Sequence, residues 1–320
     1  MLSKKITTSQ KLEGFFKYFR IKVQKSPIFM ALEVTKHCNA KCNICDYWKT
    51  KSESRLDDYL PVVQRINPLV VTLTGGEPLL RKDLSDIIYR IKENTNFIYV
   101  CIVTNGSLLT EEKAKELWKA GLNQLSISLD YLGAKHDEQR GIKGLYAHIS
   151  NLIPNLSTGS DNDIVLNTVI MKDNMDQLVD IARQAHEWNV KVSYSAYTAM
   201  KTFNRAHIVK PESLEQLRAE ITEIIKLKSD LGNIMNSDYY LKRIPIYFET
   251  GAIGGCQAGR SFIQVTPDGY LKPCAELPVF CHYSEYNGRP NEVTCDKCWY
   301  ACRGESEAPV TLRRIMEFVR

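Results

Sequence analysis

Strand-like and helix-like segments alternate through most of this chain of 320 residues, from residue 27 to residue 230. Segments rich in Val, Ile, Leu and aromatic residues lie at 29–35, 68–74, 97–104, 124–129, 164–170 and 190–196. Segments with apolar residues at the three-to-four spacing of an α-helix separate them, among them 83–92, 111–118 and 175–185. Repeated strand-then-helix units form parallel sheets with right-handed crossovers. The pattern therefore predicts an α/β fold built on a parallel sheet.

Composition favours one barrel plus one small domain. Hydrophobic residues make up 44% of the chain, which is enough to bury a large core. The formal charge of +5 is too small and too spread out to indicate a nucleic-acid partner. No stretch approaches the roughly 20 apolar residues of a membrane span, and no signal-peptide pattern opens the chain. We therefore expect a protein of the reducing cytoplasm, soluble or peripheral to a membrane.

Three cysteines stand close together directly after the first strand-like segment. Cys38, Cys42 and Cys45 have C-x3-C-x2-C spacing, and a loop at the end of a strand can bring three thiolates to one iron-sulfur cluster. Three ligands leave one iron of a cubane open to a small molecule, which is a catalytic arrangement. A zinc site is the alternative, although a closed zinc site takes four ligands and usually contains C-x2-C pairs.

Further motifs stand where the following strands end. They are Thr74-Gly-Gly-Glu-Pro78, Val103-Thr-Asn-Gly106 and Ser126-Ile-Ser-Leu-Asp130. Together with the cysteine spacing, these motifs resemble the radical S-adenosylmethionine (SAM) superfamily. The resemblance implies a partial (β/α)6 TIM-like barrel with its chemistry on loops at the carboxyl ends of the strands. It also implies a [4Fe–4S] cluster whose open iron holds SAM, and a 5'-deoxyadenosyl radical that removes hydrogen from a substrate carbon.

The resemblance assigns the methionine part of SAM to named residues. Gly75 and Gly76 would let the backbone approach a ligand closely, and Glu77 would bind the methionine ammonium group. Arg140 would bind the SAM carboxylate, because its planar guanidinium matches two carboxylate oxygens. Taken alone, a Gly-Gly-Glu-Pro sequence is most often a turn, Arg140 could form a surface ion pair, and Asp130 could cap a helix.

The resemblance assigns the adenosine part of SAM to the other motifs. Asn105 lies in this region, Ser128 would contact the ribose, and Asn167 in the fifth strand is a weaker ribose candidate that could also serve strand packing. Ile44 stands where many relatives carry an aromatic residue against the adenine, with Tyr47 just beyond it. This departure from the family pattern leaves the adenine contact open.

A second group of cysteines occurs late in the sequence, at Cys256, Cys274, Cys295, Cys298 and Cys302. Residues 262–271 contain a Pro-Asp-Gly turn and predict a β-hairpin. The pattern resembles the auxiliary-cluster domain called SPASM, or its shortened form twitch, but has five well-placed cysteines where full SPASM has seven. The resemblance implies one auxiliary [4Fe–4S] cluster on the first four of these cysteines, with Cys302 as substitute for one of them. Zinc is again the alternative.

The resemblance divides the chain into four parts. An amphipathic segment (1–26) precedes the barrel (27–230), and a small α+β auxiliary-cluster domain (231–306) precedes a terminal helix (307–320). Residues 10–25 combine aromatic and basic side chains, which suits contact with a membrane surface or a hydrophobic partner. Such a helix could equally cover the bottom of a barrel. Two cysteines stand outside both groups: we expect Cys101 to be a small buried hydrophobe and Cys281 to be free.

The resemblance leaves the substrate open, because the same barrel and clusters serve many reactions. Our first expectation is dehydrogenation or epimerisation of a sugar-like or other small molecule, with the auxiliary cluster accepting an electron and ferredoxin or flavodoxin supplying the reductant. One alternative is a peptide-modifying enzyme that forms a cross-link, and another is a lipid-modifying enzyme at a membrane surface. A non-catalytic electron carrier, which would release neither methionine nor 5'-deoxyadenosine, is the third.

Overall fold

A computed structural model describes residues 6–158, 163–289 and 291–309. Six parallel strands form most of its sheet: β1 (Phe29–Thr35), β2 (Val70–Gly75), β3 (Tyr99–Thr104), β4 (Gln124–Ser128), β5 (Asp163–Ile170) and β6 (Lys191–Ala196). Three shorter strands follow: β7 (Phe262–Val265), β8 (Tyr270–Lys272) and β9 (Cys281–His282). The order across the sheet is β6-β5-β4-β3-β2-β1-β7-β8-β9. The parallel strands therefore neighbour one another in chain order, as in an open, partial barrel.

Helices precede, connect and follow these strands. In the first half of the chain they are α1 (Thr8–Gln24), α2 (Leu60–Ile66), α3 (Leu84–Glu93), α4 (Glu111–Lys119), α5 (Ala134–Arg140) and α6 (Leu145–Ser157). In the second half they are α7 (Leu178–Glu187), α8 (Leu214–Leu231), α9 (Asp238–Leu241), α10 (Ile244–Thr250) and α11 (Ala301–Glu307). Most buried apolar residues of these helices pack with those of the strands in one hydrophobic core, whereas α1 keeps several large apolar residues exposed.

The two faces of the sheet differ in chemistry. Leu32, Leu73, Ile102 and Ile127 are fully buried in the core. Since successive side chains of a strand point to opposite faces, the residues between these positions form the second face. We call this second face the polar face, and it carries Glu33, Thr72, Ser126, Ser128, Asn167, Ser193 and Gln264. Several of its side chains are only half-buried, so this face remains accessible in part.

The structure confirms the six predicted strands and the predicted hairpin. Strands β7 and β8 pair antiparallel around the Pro-Asp-Gly turn. Strand β7 also pairs parallel with β1, with Phe262 opposite Phe29, so the hairpin extends the barrel sheet directly. The helix predicted over 175–185 differs at its start: residues Lys172–Gln177 form a 3-10 turn, and α7 follows. In that turn the Asn174 carboxamide accepts the Met171 N–H and donates to the Asp130 carbonyl.

The amino-terminal segment forms α1, whose buried residues are Gly14, Lys17 and Ile21. In the described ranges, no helix combines the length and the apolar character needed to cross a membrane. Of the predicted terminal helix, residues 310–320 lie outside the described residues. The predicted domain bounds stay a prediction.

Candidate functional site

The first cysteine group lies on the loop that leaves the carboxyl end of β1. Burial is the main cause of a raised pKa at Cys38, which reaches about 11. The nearby thiols of Cys42 and Cys45 both add to this rise, so the three thiols lie near one another. Burial also raises the pKa of Cys42. Without a metal the thiols of Cys38 and Cys42 are therefore protonated near neutral pH, and positively charged iron would be needed to ionise them.

Gly75 and Gly76 hold the cysteine loop in place. The Gly76 N–H donates to the Thr35 carbonyl and the Glu77 N–H to the His37 carbonyl, both at 2.8 Å. A Cβ added at Gly75, whose φ is +131°, would lie 1.9 Å from the Thr35 oxygen, and one at Gly76 would lie 2.0 Å from the His37 oxygen. Both glycines therefore permit a close approach between two protein loops, and their predicted approach to a ligand stays a prediction.

Glu77 has protein partners that the sequence motif did not indicate. Its fully buried carboxylate accepts hydrogen bonds from the Thr104 hydroxyl at 2.6 Å, the Asn105 N–H at 2.7 Å and the Leu79 N–H at 3.0 Å. Burial raises its pKa and these three hydrogen bonds oppose the rise. In this conformation Glu77 joins the end of β2 to the end of β3. A contact with the methionine ammonium group, as predicted, would have to use the one lone pair of the carboxylate that accepts no hydrogen bond from the protein.

Arg140, the last residue of α5, connects the fourth strand to the cysteine loop. Its guanidinium donates to the Asp130 carboxylate at 2.5 Å and lies 3.8 Å from the Cys42 sulfur, and its carbonyl accepts the Lys41 N–H at 2.9 Å. Both charged side chains are buried. The surface ion pair considered for Arg140 is therefore a buried one. Asp130 does not cap a helix: its second oxygen accepts the Val169 N–H at 2.9 Å.

The residues predicted to contact the adenosine part lie at two places. Ser128, the last residue of β4, is paired with Asn167 within β5. Asn105 donates to the Asn39 side chain in the cysteine loop at 2.9 Å. Ile44 is half-buried against the core. The phenol of Tyr47 donates to Glu33 on the polar face, so its hydroxyl is committed to the barrel strands.

The second cysteine group is assembled from three segments. Cys256 precedes β7, Cys274 follows β8, and the remaining three lie immediately before or within α11. Burial raises the pKa of Cys256 and of Cys274, and the thiol of Cys295 acts on both. Cys302 is exposed by surface area, yet the protein around its sulfur and the thiols of Cys274 and Cys256 raise its pKa to about 12; we place the sulfur on the inner side of the group. The thiols of Cys302 and Cys256 likewise act on Cys298, so the five cysteines lie near one another.

Arg303 fixes the loops of the second group. This buried side chain donates to the Cys298 carbonyl at 2.6 Å, the Ile253 carbonyl at 2.5 Å and the Glu307 carboxylate at 2.9 Å. Beside it, a cavity of about 470 Å³ is lined by both Cys256 and Cys295. The scaffold thus holds Cys256 and Cys295, which are distant in the chain, beside the same open space.

The residues present fit iron-sulfur clusters and SAM. Within the described residues, no three Cys, His, Asp or Glu side chains are arranged to bind a single metal ion. A cubane does not require such an arrangement, because each of its thiolates binds a different iron. At the first group, Nε of Arg140 is buried without a hydrogen-bond partner among the described residues. A buried donor beside the Cys42 thiol is suited to an anionic ligand such as a carboxylate.

Several polar residues near both cysteine groups were not identified from the sequence. Gln264 donates to the buried Glu33 carboxylate at 2.6 Å, and Tyr300 donates to Glu276 at 2.8 Å beside the second group. Burial and Glu33 raise the pKa of Tyr47, and Glu276 adds to this rise. The polar face reaches the first cysteine group where Glu33 accepts from Tyr47, two residues after Cys45. It reaches the second group where Ser195, two positions along β6 from Ser193, accepts the Ala301 N–H at 3.3 Å, next to Cys302. A glutamate in the middle of an apolar strand segment, Glu33, was the one available sequence signal.

Comparison with known proteins identifies the class. A family model described as the radical SAM superfamily matches residues 32–210, which is more than half of the chain. The chain therefore belongs to the radical SAM superfamily and is a radical SAM enzyme. A [4Fe–4S] cluster and SAM are the cofactors of this class.

Curated relatives carry several different activities. The chain is 29% identical over 268 residues to the GTP 3',8-cyclase of Clostridium perfringens strain 13, covering 77% of this chain and 80% of that protein. It is 29% identical to the AdoMet-dependent heme synthase of Methanosarcina barkeri, covering 81% and 80%. It is 26% identical to the PqqA peptide cyclase of Granulibacter bethesdensis, covering 78% and 67%.

Among solved structures, SuiB of Streptococcus suis bound to its precursor peptide SuiA has a TM-score of 0.65 at 16% identity. The alignment covers 85% of this chain and 66% of that chain. At this identity the likeness concerns the fold alone.

Proposed function

We propose that this radical SAM enzyme oxidises a polar, sugar-like small molecule by removing hydrogen from one of its carbons. One observation carries the proposal: a polar, partly open face of the sheet extends between the two cysteine groups. Hydroxyl and carboxamide side chains such as Ser193, Asn167 and Gln264 can hydrogen-bond the hydroxyl groups of a sugar. A hydrocarbon chain would cover these polar side chains without offering them hydrogen bonds in place of water, at an unfavourable free energy.

In this proposal, Cys38, Cys42 and Cys45 hold the first cluster and Arg140 binds the SAM carboxylate through its unpartnered Nε. When bound, the first cluster and SAM supply the radical that accepts the substrate hydrogen. The protein orients the substrate along the polar face and excludes water. Glu77 contributes by holding the ends of β2 and β3, beside the cysteine loop, in register.

We assign a second cluster to Cys256, Cys274, Cys295 and Cys298, with Cys302 as the substitute. When bound, this cluster would supply an acceptor for the electron that the substrate radical loses. Ferredoxin or flavodoxin would supply the first electron. Four thiolates would close every iron of a cubane, so this cluster would act in electron transfer and not as a substrate ligand.

Anaerobic reconstitution tests the cluster assignment. Wild-type protein should hold about eight irons per chain, from two cubanes. Replacing Cys38, Cys42 and Cys45 with Ala should leave about four irons and abolish SAM cleavage. The matched control Cys101→Ala, a buried cysteine outside both groups, should keep both the iron and the cleavage. Full SAM cleavage in the triple variant would refute the catalytic assignment.

The role of the second cluster is tested separately. Cys295→Ala/Cys298→Ala should still cleave SAM but yield little or no oxidised product. Normal product formation by this variant, or zinc at these thiolates in protein purified without oxygen, would refute an electron-transfer cluster.

The substrate class is tested with uniformly deuterated compounds. Deuterium from a panel of deuterated monosaccharides and aminocyclitols should appear in 5'-deoxyadenosine. The second candidate is a peptide, a class favoured by the similarity to PqqA peptide cyclase. Transfer from deuterated peptides alone would support that candidate and reject a sugar-like substrate.

A further inference from the structure

Helix α1 presents an apolar face to solvent. Phe16, Phe19 and Val23 are 68%, 64% and 67% exposed, and Leu12 and Phe15 are exposed as well. These positions are spaced by three or four residues, so they lie on one side of the helix. Five large apolar side chains on one exposed face form a continuous surface, unlike isolated apolar residues, which are common on proteins.

The opposite side of α1 is fastened to the barrel. Lys17 donates to the Phe97 carbonyl at 3.0 Å, and Glu13 accepts the Phe97 N–H at 2.9 Å. A Cβ at Gly14 would lie 2.7 Å from the Phe97 ring, so the glycine permits this close contact. Because these contacts fix the rotation of the helix, the apolar face cannot turn inward without breaking them.

Positive charge flanks the apolar face. Arg20 lies on one side of it and Lys22 on the other, and Lys25 follows at the end of the helix. Glu13 is the one acidic residue within α1, and its carboxylate is hydrogen-bonded to the barrel. An exposed aromatic face with cationic borders matches a helix that lies in the interface of a bilayer containing anionic lipids.

We propose that α1 docks this enzyme on an anionic membrane surface, with its apolar side chains among the acyl chains and its basic residues at the lipid headgroups. A second copy of the chain is a poorer occupant. A 17-residue helix is about 25 Å long and about 10 Å wide. Its face therefore offers on the order of 300 Å², well below the roughly 800 Å² per partner of a stable protein interface.

Docking in this way leaves the candidate site open to water. Phe97, which holds α1, lies two residues before β3, whereas Asn105 and the cysteine loop lie beyond the other end of this strand. The six residues of β3 separate these ends by about 20 Å. Membrane attachment is therefore independent of the proposed substrate and would stand even if another substrate class proved correct.

Co-sedimentation with lipid vesicles tests the proposal, using full-length protein and vesicles of phosphatidylcholine alone or with phosphatidylglycerol. Wild-type protein should bind the mixed vesicles, and Phe16→Ser/Phe19→Ser should lose about tenfold or more of this affinity. The matched control Tyr89→Ser/Phe203→Ser, which removes two exposed aromatic residues elsewhere, should bind as wild type. Circular dichroism confirms that each variant is folded.

Charge reversal tests the electrostatic part. Arg20→Glu/Lys22→Glu should weaken binding to the mixed vesicles about tenfold or more, while Arg183→Glu/Lys226→Glu, a reversal on distant exposed helices, should have little effect. Absence of vesicle binding by wild-type protein would overturn the proposal. So would self-association in solution that Phe16→Ser/Phe19→Ser abolishes, because the occupant would then be a second copy.

Discussion

At the scale of single residues, the first cysteine loop depends on buried charges that are paired within the protein. Asp130 and Arg140 form an ion pair in the interior, and removing one partner of such a pair typically costs about 3–5 kcal/mol. Neutral His136 lies beside them and accepts the Asp130 N–H at 3.3 Å. These contacts connect the carboxyl end of β4 with Cys42, so the geometry of the thiol depends on the state of its charged neighbours.

The first prediction concerns pH. Burial and the Arg140 charge lower the pKa of His136 from 6.5 to about 3. Between these values the unfolded chain binds the proton and the folded protein does not, so stability falls as pH decreases below 6.5. His136 should contribute a loss on the order of 2 kcal/mol between pH 6.5 and about pH 5. Urea denaturation of the apo-protein at both pH values should show that the free energy of unfolding falls less in His136→Gln than in wild type. An equal fall in the variant and in wild type would contradict a neutral buried imidazole.

The second prediction concerns Glu77. Glu77→Gln replaces one acceptor oxygen by an NH2 group that faces protein donors, so a buried N–H or hydroxyl loses its partner. We expect the free energy of unfolding of the apo-protein to fall by about 1–3 kcal/mol. Glu112→Gln, at an exposed position of α4, should change it by less than about 0.5 kcal/mol. Urea denaturation measures both; equal stability of Glu77→Gln and wild type would show that the carboxylate has no structural role.

At the scale of secondary structure, the site is formed by strand ends that contact one another directly. The turn after β2 supports the loop after β1 through two backbone hydrogen bonds, and α5 supports the same loop from its other side. A Cβ added at Gly141, directly after α5, would lie 3.0 Å from the Lys41 side chain, so the end of this helix is in close contact with the loop. The cysteine loop is therefore held between the turn after β2 and the end of α5, which limits the conformational entropy it loses on binding a cluster.

The third prediction tests this support with two glycines. Gly75→Ala introduces a Cβ 1.9 Å from a backbone oxygen, whereas Gly144→Ala meets nothing within 4 Å, although both glycines have positive φ. We expect Gly75→Ala to displace the cysteine loop and lose about four irons together with SAM cleavage. Gly144→Ala should carry only backbone strain of about 1–2 kcal/mol and keep both clusters. Iron analysis and 5'-deoxyadenosine release distinguish them, and full iron content in Gly75→Ala would contradict a supporting role for this turn.

At the scale of the whole molecule, one continuous sheet carries both cysteine groups. Strand β7 joins β1 over four residue pairs, and the Gln264–Glu33 hydrogen bond crosses the same junction. The stacked rings of Tyr240 and Trp299 connect α9 to the loop before α11. The carboxyl-terminal part therefore shares its hydrogen bonds and its core with the barrel.

The fourth prediction follows from this shared sheet. Strands β1 and β7 should lose hydrogen-exchange protection together, with the same free energy of opening, because neither can leave the sheet without breaking their common ladder. Exchange measured by mass spectrometry on peptides covering 29–35 and 262–265 tests this in apo-protein. Opening of β7 at a much lower free energy than β1 would indicate an independently folding carboxyl-terminal domain.

The local sequence pattern was sufficient to predict the strands and the hairpin, and to identify the two cysteine groups as candidate cluster ligands. Strand positions such as Leu32 and Leu73 could be predicted because burial imposes a period of two on neighbouring residues. The junction between β7 and β1 could not, since the two strands are far apart in the chain and no sequence period reports their pairing. The predicted ligand roles of Gly75 and Gly76 were drawn from a short motif, and the structure shows contacts that such a motif does not contain.

By itself, the sequence determined the α/β class, the order of the elements and the placement of cysteines at loops, because these depend on residues close together in the chain. Tertiary structure alone decided that Asp130 pairs with Arg140, that Glu77 joins two strand ends and that Gln264 reaches Glu33. The last of these bonds links residues 231 positions apart. Such contacts depend on strand register and on how helices pack against the sheet, and both are settled only when the whole core is buried.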